Sequence, residues 1–311
     1  MINLQELQRW RYYFIDLPLW VWGIKTHKIE KRLFKMFEPE IPSFRDGITI
    51  LFNYLNIPIE DSEVEGIITK AFWVKVIREG DAFASLLMSK NRLNQYFQIE
   101  GIDHLESAVQ KNRPIIILTG HFGSFFIPSI AFSHAGFDVY PIARVVDHSP
   151  ATPPATRFYQ KLNYFFSEKR FSARYIYTDF AGKIDRDIIS ISNKGGIFWV
   201  ALDFPMRLYP YKHHPVVLFG RNSTLPSGIV QWGIKRNAVF LTAWNCIEEA
   251  GKKNFYRLLT IDEPFPEGID LGAVLQNYAN RLEERVTRQP WQWAALPVIK
   301  QYEATAEIRN D

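Results

Sequence analysis

One histidine of this chain stands in a setting typical of a catalytic base. His121 lies between Gly120 and Gly123 and follows the apolar run 115–118, which Pro114 precedes. Such a run predicts a strand buried on both faces, and α/β proteins expose reactive side chains where these strands end. Glycines without a Cβ allow close approach of a substrate to the imidazole. The spacing therefore indicates a general base, with a hydrogen-bonded structural histidine as the alternative.

Apolar runs and helical periodicity predict the elements that would position this histidine. Apolar residues recur at helical spacing within residues 43–100, which predicts helices there. Strands that alternate with helices predict an α/β fold, with a mixed central sheet flanked by helices and an N-terminal helical region. After residue 100 the predicted strands are 115–118, 138–143, 197–202, 240–245 and 256–261, the last two as possible neighbours, and the predicted helices are 103–110, 125–135 and 272–287.

The composition narrows the classes of function. The single cysteine, Cys246, rules out an internal disulfide framework, so a reduced, cytosolic setting is the default expectation. The sequence shows no Cys/His spacing typical of a metal site and no Gly-x-Ser-x-Gly turn, which disfavours an α/β hydrolase. A net charge of +4 is too mild to indicate nucleic-acid binding. Aromatic residues make up 15% of the chain, which suits apolar ligands, a membrane interface or a well-filled core.

The first 37 residues combine aromatic side chains with a basic run. The apolar stretch 17–24 contains Pro18 and is far shorter than the roughly 20 residues needed to span a bilayer. The basic residues of 25–35 follow this stretch, whereas a cleavable signal peptide carries its charges before it. We therefore expect residues 1–37 to bind in the headgroup region of a membrane, with packing against the main domain as the alternative.

Four blocks of this sequence resemble one known family. The segment TGHFG at 119–123 is similar to the catalytic block of the lysophospholipid acyltransferase superfamily, in particular its bacterial lipid A biosynthesis branch. The segments at 196–203, 217–228 and 280–293 resemble its second strand, its F-F-G segment with a hydroxyl-rich turn and a following helix, and its closing helix with a P-E-Q-W-x-W signature. This resemblance covers roughly residues 100–300 and implies an acyltransferase-like fold and a fatty acyl transferase activity.

The sequence departs from that family at one important position. The family's histidine is followed five residues later by Asp or Glu, which orients the imidazole, whereas Phe126 stands here. A substitute acid could come from another strand end, with Asp203 the best candidate because it closes the run 197–202. Alternatively, a backbone carbonyl could orient His121 in a slower enzyme that uses a reactive acceptor such as an amine. The third possibility is a catalytically silent lipid-binding or membrane-associated protein with the same fold.

The resemblance also implies substrate-binding residues. Arg144 matches a basic position that the family places near its substrate, and with Arg174 and Lys161 it could meet a phosphate. A solvated basic face is the alternative and is favoured for Lys161. The remaining candidates beside the histidine are Gly123, Ser124 and Phe126, the last as a wall of the acyl channel or as part of the core. Thr224 could bind substrate oxygens together with Ser223 and Ser227. For Ser227 the alternative role is to cap the following helix.

Together these patterns predict a single α/β domain at 38–302, after the segment 1–37 and before a loose tail at 303–311. The predicted reaction moves a fatty acyl chain from an acyl carrier protein or coenzyme A thioester to a hydroxyl or amine, with His121 as base and Asp203 as its acid. The phosphopantetheine-linked donor is a substrate, and we expect no bound cofactor or metal. The expected location is the cytoplasm, peripheral on the inner face of the cell membrane.

Overall fold

A computed structural model provides the coordinates of this chain. It describes residues 4–87, 96–124, 128–144, 152–171, 174–178, 186–205, 212–249 and 255–303.

The centre of the fold is a seven-stranded mixed sheet. Its strand order is β1-β9-β8-β2-β5-β3-β4, and all neighbours are parallel except the antiparallel pair β8 and β9. A separate antiparallel hairpin is formed by β6 and β7. The strands are β1 (Phe97–Glu100), β2 (Ile115–Thr119), β3 (Val139–Arg144), β4 (Ile176–Thr178), β5 (Ile197–Ala201), β6 (His213–Leu218), β7 (Arg221–Pro226), β8 (Val239–Glu249) and β9 (Phe255–Ile261).

Helices cover both faces of this sheet and form the N-terminal region. A π-helix, Tyr12–Asp16, joins the first two α-helices, and short 3-10 helices lie at Glu38–Glu40, Pro290–Gln292 and Leu296–Tyr302. The α-helices are α1 (Leu4–Arg11), α2 (Leu17–Val21), α3 (His27–Phe37), α4 (Ile41–Tyr54), α5 (Asp61–Leu87), α6 (Ile102–Val109), α7 (Pro128–His134), α8 (Pro154–Phe171), α9 (Arg186–Ser192), α10 (Gly228–Lys235) and α11 (Leu271–Arg288). The predicted mixed α/β architecture is confirmed.

The central strand β2 is buried on both faces, as its apolar run predicts. All five of its residues are buried. Ile116 and Leu118 belong to the core on one side of the sheet, and Ile115 and Ile117 belong to the core on the other side. Because side chains alternate along a strand, this pattern places β2 between two apolar layers and fixes where its carboxyl end emerges.

Two predictions about local structure are wrong. Residues 97–100 form the strand β1, which pairs with β9, whereas the periodicity of 43–100 predicts helix. The hydroxyl-rich segment expected to be a turn includes most of β7, because residues 221–226 pair with β6. The start of the helix predicted at 125–135 lies outside the described residues, and α7 begins at Pro128.

The N-terminal region packs onto the main domain through one face. Tyr12, Tyr13, Leu17 and Trp20 are buried. Within the described ranges, we find no helix that combines the length and the apolar character needed to cross a membrane. The exposed apolar residues of this region are Leu4, Leu7, Ile15, Trp22 and Ile24.

Candidate active site

The register of β2 and β5 brings two chain turns to one edge of the sheet. Thr119 of β2 lies beside Ala201 of β5 in parallel register. His121 and Asp203 each follow two residues after this pair, at the carboxyl edge where open α/β sheets place their ligands. Strand pairing alone therefore brings together two residues that are far apart in the sequence.

The His121 ring and the Asp203 carboxylate are in direct contact. The distance from His121 Nδ1 to Asp203 Oδ1 is 2.7 Å, and the His121 backbone N–H donates to Asp203 Oδ2 at 2.7 Å. A third donor, Trp293 Nε1, lies 2.9 Å from Oδ2. The Asp203 side chain is fully buried, whereas 24% of the His121 side chain is exposed. This geometry favours the tautomer with the proton on Nδ1, so Nε2 carries the lone pair of a base.

Two buried tyrosines fix the backbone on either side of this contact. Tyr302 donates its hydroxyl to the Asp203 carbonyl at 2.6 Å, and Tyr278 donates to the Thr119 carbonyl at 2.7 Å. Burial, reinforced by the nearby Asp203 charge, raises the pKa of both phenols well above the ordinary value. Both tyrosines therefore remain protonated hydrogen-bond donors over the whole physiological pH range.

A C-terminal segment, residues 290–302, holds the turn that carries His121. The Gly123 N–H donates to the Gln292 carbonyl, and the Ala294 N–H donates to the His121 carbonyl, each at 2.8 Å. Between these bonds, Phe122 and Trp293 form an isolated antiparallel bridge. The turn is therefore paired like a short strand, which restricts the position of the imidazole.

The two glycines of the turn admit protein atoms. A Cβ built on Gly120 would lie 3.1 Å from Asp203 Oδ2, and one built on Gly123 would lie 2.0 Å from the Asn245 carbonyl oxygen. Gly123 also has a φ of +54°, a conformation that suits glycine. In this structure the missing Cβ atoms leave room for the carboxylate of Asp203 and for the backbone of β8, whereas the approach of a substrate to the imidazole stays a prediction.

Ser124 is placed differently from its predicted role as a substrate contact. Its side chain is fully buried, and its hydroxyl donates to the carboxylate of Asp81 on α5. The other oxygen of Asp81 accepts from Arg257 on β9. Burial raises the pKa of Asp81 to about 6, an effect that the charges of Arg257 and Arg78 oppose. Ser124 therefore belongs to a buried polar cluster beneath the turn.

The family model for the bacterial lipid A biosynthesis acyltransferases matches residues 55–297 of the chain. The chain belongs to this family. The match spans every strand of the central sheet, the His121 turn and most of the C-terminal segment that holds it. A comparison with curated proteins found no match.

Phe126, which stands where the sequence resemblance predicts an orienting acid, lies outside the described residues. Asp203 contacts the histidine ring from the neighbouring strand end. Among the residues described, no group of three or more His, Cys, Asp or Glu could hold a metal ion.

The structure places the two predicted arginines at different ends of the sheet. Arg144 closes β3, one residue beyond the level of Thr119, and so lies at the carboxyl edge that carries His121. Arg174 is exposed and precedes the start of β4. Thr178 at the other end of β4 is level with Arg144, so Arg174 lies four residues back from that edge, roughly 13 Å along an extended chain. Arg144 is thus brought to the edge with His121, and Arg174 is not.

The hydroxyl groups of the β6–β7 hairpin have protein partners. Thr224 is buried and lies 3.2 Å from His213 Nδ1, whereas Ser223 donates to the carbonyl of Tyr302, the residue that holds Asp203. The predicted capping role of Ser227 is wrong, because its hydroxyl donates to the Lys212 carbonyl across the hairpin and makes no cap hydrogen bond to α10.

The sequence interpretation missed the residues that support the pair. Trp293 lies within a recognised signature, but its bond to Asp203 follows from no local pattern. Arg257 carried a weak signal, since it is a charged residue within the mainly apolar run 255–261, whereas Asp81 follows Arg78 and Glu79 and carried none. Charged side chains are rarely buried unless they are paired, so such positions are worth testing as partners.

Proposed function

We propose that this protein transfers a fatty acyl chain from a thioester to a hydroxyl or amine, with His121 as general base and Asp203 as the acid that orients it. Membership of the lipid A biosynthesis acyltransferase family supplies the reaction class. The observation that carries the residue roles is the 2.7 Å contact between His121 Nδ1 and the buried carboxylate of Asp203.

The proposed reaction uses one proton and one acyl group. Nε2 of His121 removes the proton of the acceptor hydroxyl or amine as its oxygen or nitrogen attacks the thioester carbonyl. Asp203 stabilises the imidazolium that forms and keeps the ring in place. When the tetrahedral intermediate collapses, the carbon–sulfur bond breaks, and the imidazolium returns the proton to the leaving thiolate. The products are the acylated acceptor and the free thiol.

This geometry favours one of the three explanations for the missing acid. A substitute carboxylate from a neighbouring strand end reaches the histidine through the same ring nitrogen that an orienting acid requires. Orientation by a backbone carbonyl would instead leave Asp203 without a functional reason for its burial. Water that replaced the acceptor would give slow thioester hydrolysis as a side activity.

The proposed donor is a phosphopantetheine thioester, carried either by acyl carrier protein or by coenzyme A. Arg144 is the candidate contact for its phosphate, because β3 brings this residue to the His121 edge. The net charge of +4 suits an acidic carrier protein. On this proposal the protein takes its acyl chain in the cytoplasm and delivers it to an acceptor at the inner face of the cell membrane.

Membrane attachment through the N-terminal region is part of this proposal. Buried aromatic residues anchor the region to the domain, while Leu4, Leu7, Trp22 and Ile24 remain 48–72% exposed. Exposed basic residues follow on α3, as the interfacial pattern of apolar and cationic side chains requires. These exposed lysines are Lys28, Lys31 and Lys35.

Vesicle flotation tests the membrane proposal. Vesicles of phosphatidylcholine with one quarter phosphatidylglycerol should retain the wild-type protein, and the double variant Trp22→Ser/Ile24→Ser should bind much less. Val109→Ser, which alters an exposed apolar side chain on α6, is the matched control and should bind like wild type. Equal retention of the double variant and the control would contradict the proposed surface.

Mass spectrometry of acyl thioesters tests the reaction. Incubation with acyl-carrier-protein and acyl-coenzyme A donors should show donor consumption that His121→Ala abolishes. Asp203→Asn preserves the shape of the side chain and should lower the rate by about 10³- to 10⁴-fold, because the amide no longer stabilises the imidazolium. Asp262→Asn is a control for removing a partly buried carboxylate elsewhere. If the protein binds acyl chains but consumes no donor in a reaction that depends on His121, it is a catalytically silent lipid-binding protein.

A further inference from the structure

A buried ion pair lies beneath the turn that carries His121. The Arg257 guanidinium of β9 donates to one oxygen of Asp81 on α5, and the side chains are only 6% and 1% exposed. The Ser124 hydroxyl donates to the other oxygen. One carboxylate therefore connects a helix, a strand and the turn that carries His121.

Ser124 is held on its backbone as well. Its N–H donates to the Asn245 carbonyl at 3.2 Å, and the Asn245 side-chain amide donates to the Ser124 carbonyl. All three hydrogen-bonding groups of this residue are thus engaged by buried parts of α5 and β8. Ser124 is thus held by α5 and β8, whereas residues 121–123 are held by the C-terminal segment.

Stability alone gives no reason for this pair. Removing two charges from water costs several kcal/mol per ion, and well-packed apolar residues often serve a fold as well or better. Arg257 Nε and Asn245 Oδ1 are also buried without a hydrogen-bond partner. Buried polar networks often hold a functional group in a fixed position. Here the functional group is the His121 ring in contact with Asp203, and His121 lies three residues before Ser124 in the chain.

We propose that the Asp81–Arg257 pair positions His121 by holding Ser124. Arg257 fixes the Asp81 carboxylate, the carboxylate fixes the Ser124 hydroxyl, and the turn then presents the His121 N–H and ring to Asp203. Asp81, Arg257 and Ser124 are positioning residues, because they would act on the His121 ring through the backbone of the turn. The inference rests on the proposed acyl transfer, but its structural part can be measured without turnover.

Two conservative variants test this proposal. Ser124→Ala removes the hydroxyl and keeps the ion pair, whereas Asp81→Asn keeps an acceptor and removes the charge. We expect each to lower kcat by about 10- to 100-fold with KM for the donor within about twofold, because a misplacement of about 1 Å at a catalytic group has this effect. The kcat of the double variant should be little lower than that of the less active single variant, since both changes interrupt the same series of contacts.

A matched control separates positioning from general destabilisation. Thr242→Val removes a fully buried hydroxyl that donates to Asp262 at 2.5 Å, on the adjoining strand β8. It should lower the thermal midpoint about as much as Ser124→Ala while leaving kcat near the wild-type value. If the two variants lose activity equally for an equal loss of stability, the positioning role is wrong.

The second measurement is proton NMR of the histidine ring. The Nδ1 proton of His121, assigned by its absence in His121→Gln, should give a low-field signal that broadens or shifts in Ser124→Ala and persists in Thr242→Val. An unchanged signal in both Ser124→Ala and Asp81→Asn would overturn the proposal. Wild-type protein that is inactive with every donor would refute the acyl transfer, yet the same signal would still decide the positioning.

Discussion

Asp203 is the residue on which the polar contacts of the candidate site converge. Its carboxylate accepts from His121 Nδ1, from the His121 N–H and from Trp293 Nε1, and its carbonyl accepts from Tyr302. A buried carboxylate depends on such donors, because each one that is lost leaves acceptor capacity that water cannot reach. The indole of Trp293 is therefore a structural partner of the acid as well as part of the core.

Trp293→Phe should weaken the fold and the reaction together. The change removes one donor to a buried charge, so we expect a loss of about 1–3 kcal/mol in the free energy of unfolding, measured with urea. It should also lower kcat, since Asp203 gains freedom to leave the His121 ring. Trp244→Phe is the matched control, because Trp244 is equally buried and donates to Asp262 at 2.8 Å. A full loss of kcat in the control, or none in Trp293→Phe, would count against this role.

The sequence was sufficient to predict the pair of His121 and Asp203 but not the residues that hold this pair in place. His121 and Asp203 each follow an apolar run, and such positions share one sheet edge when the strands are parallel neighbours. The 2.7 Å contact depends on the register of β2 and β5, which apolar runs do not specify. The pairing of Asp81 with Arg257 joins residues 176 positions apart, beyond the reach of any local pattern.

Among the elements, long periodic or apolar segments were predictable and short paired ones were not. The strands β2 and β5 and the helix α11 carry strong patterns, whereas β1 is four residues long and acquires its identity by pairing with β9. The hairpin of β6 and β7 turns at Phe219 and Gly220, both with positive φ. Such a turn usually carries Asn-Gly or Asp-Gly, so Phe-Gly gave little signal.

The N-terminal π-helix is fixed by an ion pair with a buried carboxylate. Arg32 of α3 donates to both oxygens of Asp16, whose side chain is only 4% exposed. This bond joins α3 to the π-helix and therefore holds the proposed membrane-binding region in one shape. The strength of this connection depends on the burial of Asp16, since exposed ion pairs contribute little.

Arg32→Met should loosen this region more than a comparable surface change. It leaves Asp16 buried with Arg11 as its remaining described partner, at 3.4 Å, and unpaired buried charges are strongly destabilising. Hydrogen exchange should rise across α1, the π-helix and α2. Arg45→Met, which removes the exposed pair with Glu65, should leave the free energy of unfolding close to the wild-type value. Equal exchange in the two variants would show that the Asp16 pair does not hold the region.

At the scale of the whole molecule, Asp81 makes stability depend on pH. Burial raises its pKa from 3.8 to about 6, so the folded protein binds this proton more tightly than the unfolded chain. The protonated form therefore stabilises the fold at low pH, and this contribution is lost as the pH rises from about 4 to about 6.

Urea denaturation at pH 4, 5, 6 and 7 measures this effect against Asp81→Asn. The free energy of unfolding of the wild type, minus that of the variant, should fall between pH 4 and 6 and then level off. The subtraction cancels the titration of groups that both proteins share. A difference that rises with pH would mean that attraction to Arg257 and Arg78 outweighs the cost of burying the charge.

The residues of the candidate site lie far apart in the sequence, so they are synthesised at different times. His121 and Asp203 leave the ribosome long before Trp293 and Tyr302, which supply their closing hydrogen bonds. A nascent chain that ends before residue 293 can pair β2 with β5, but its acid still lacks the indole, the phenol and the bridge to Phe122. Because domains begin to fold from the N-terminal side during translation, the site is completed only after Trp293 and Tyr302 have been synthesised. An incompletely translated chain would thus hold the reacting pair without the framework that keeps it in register.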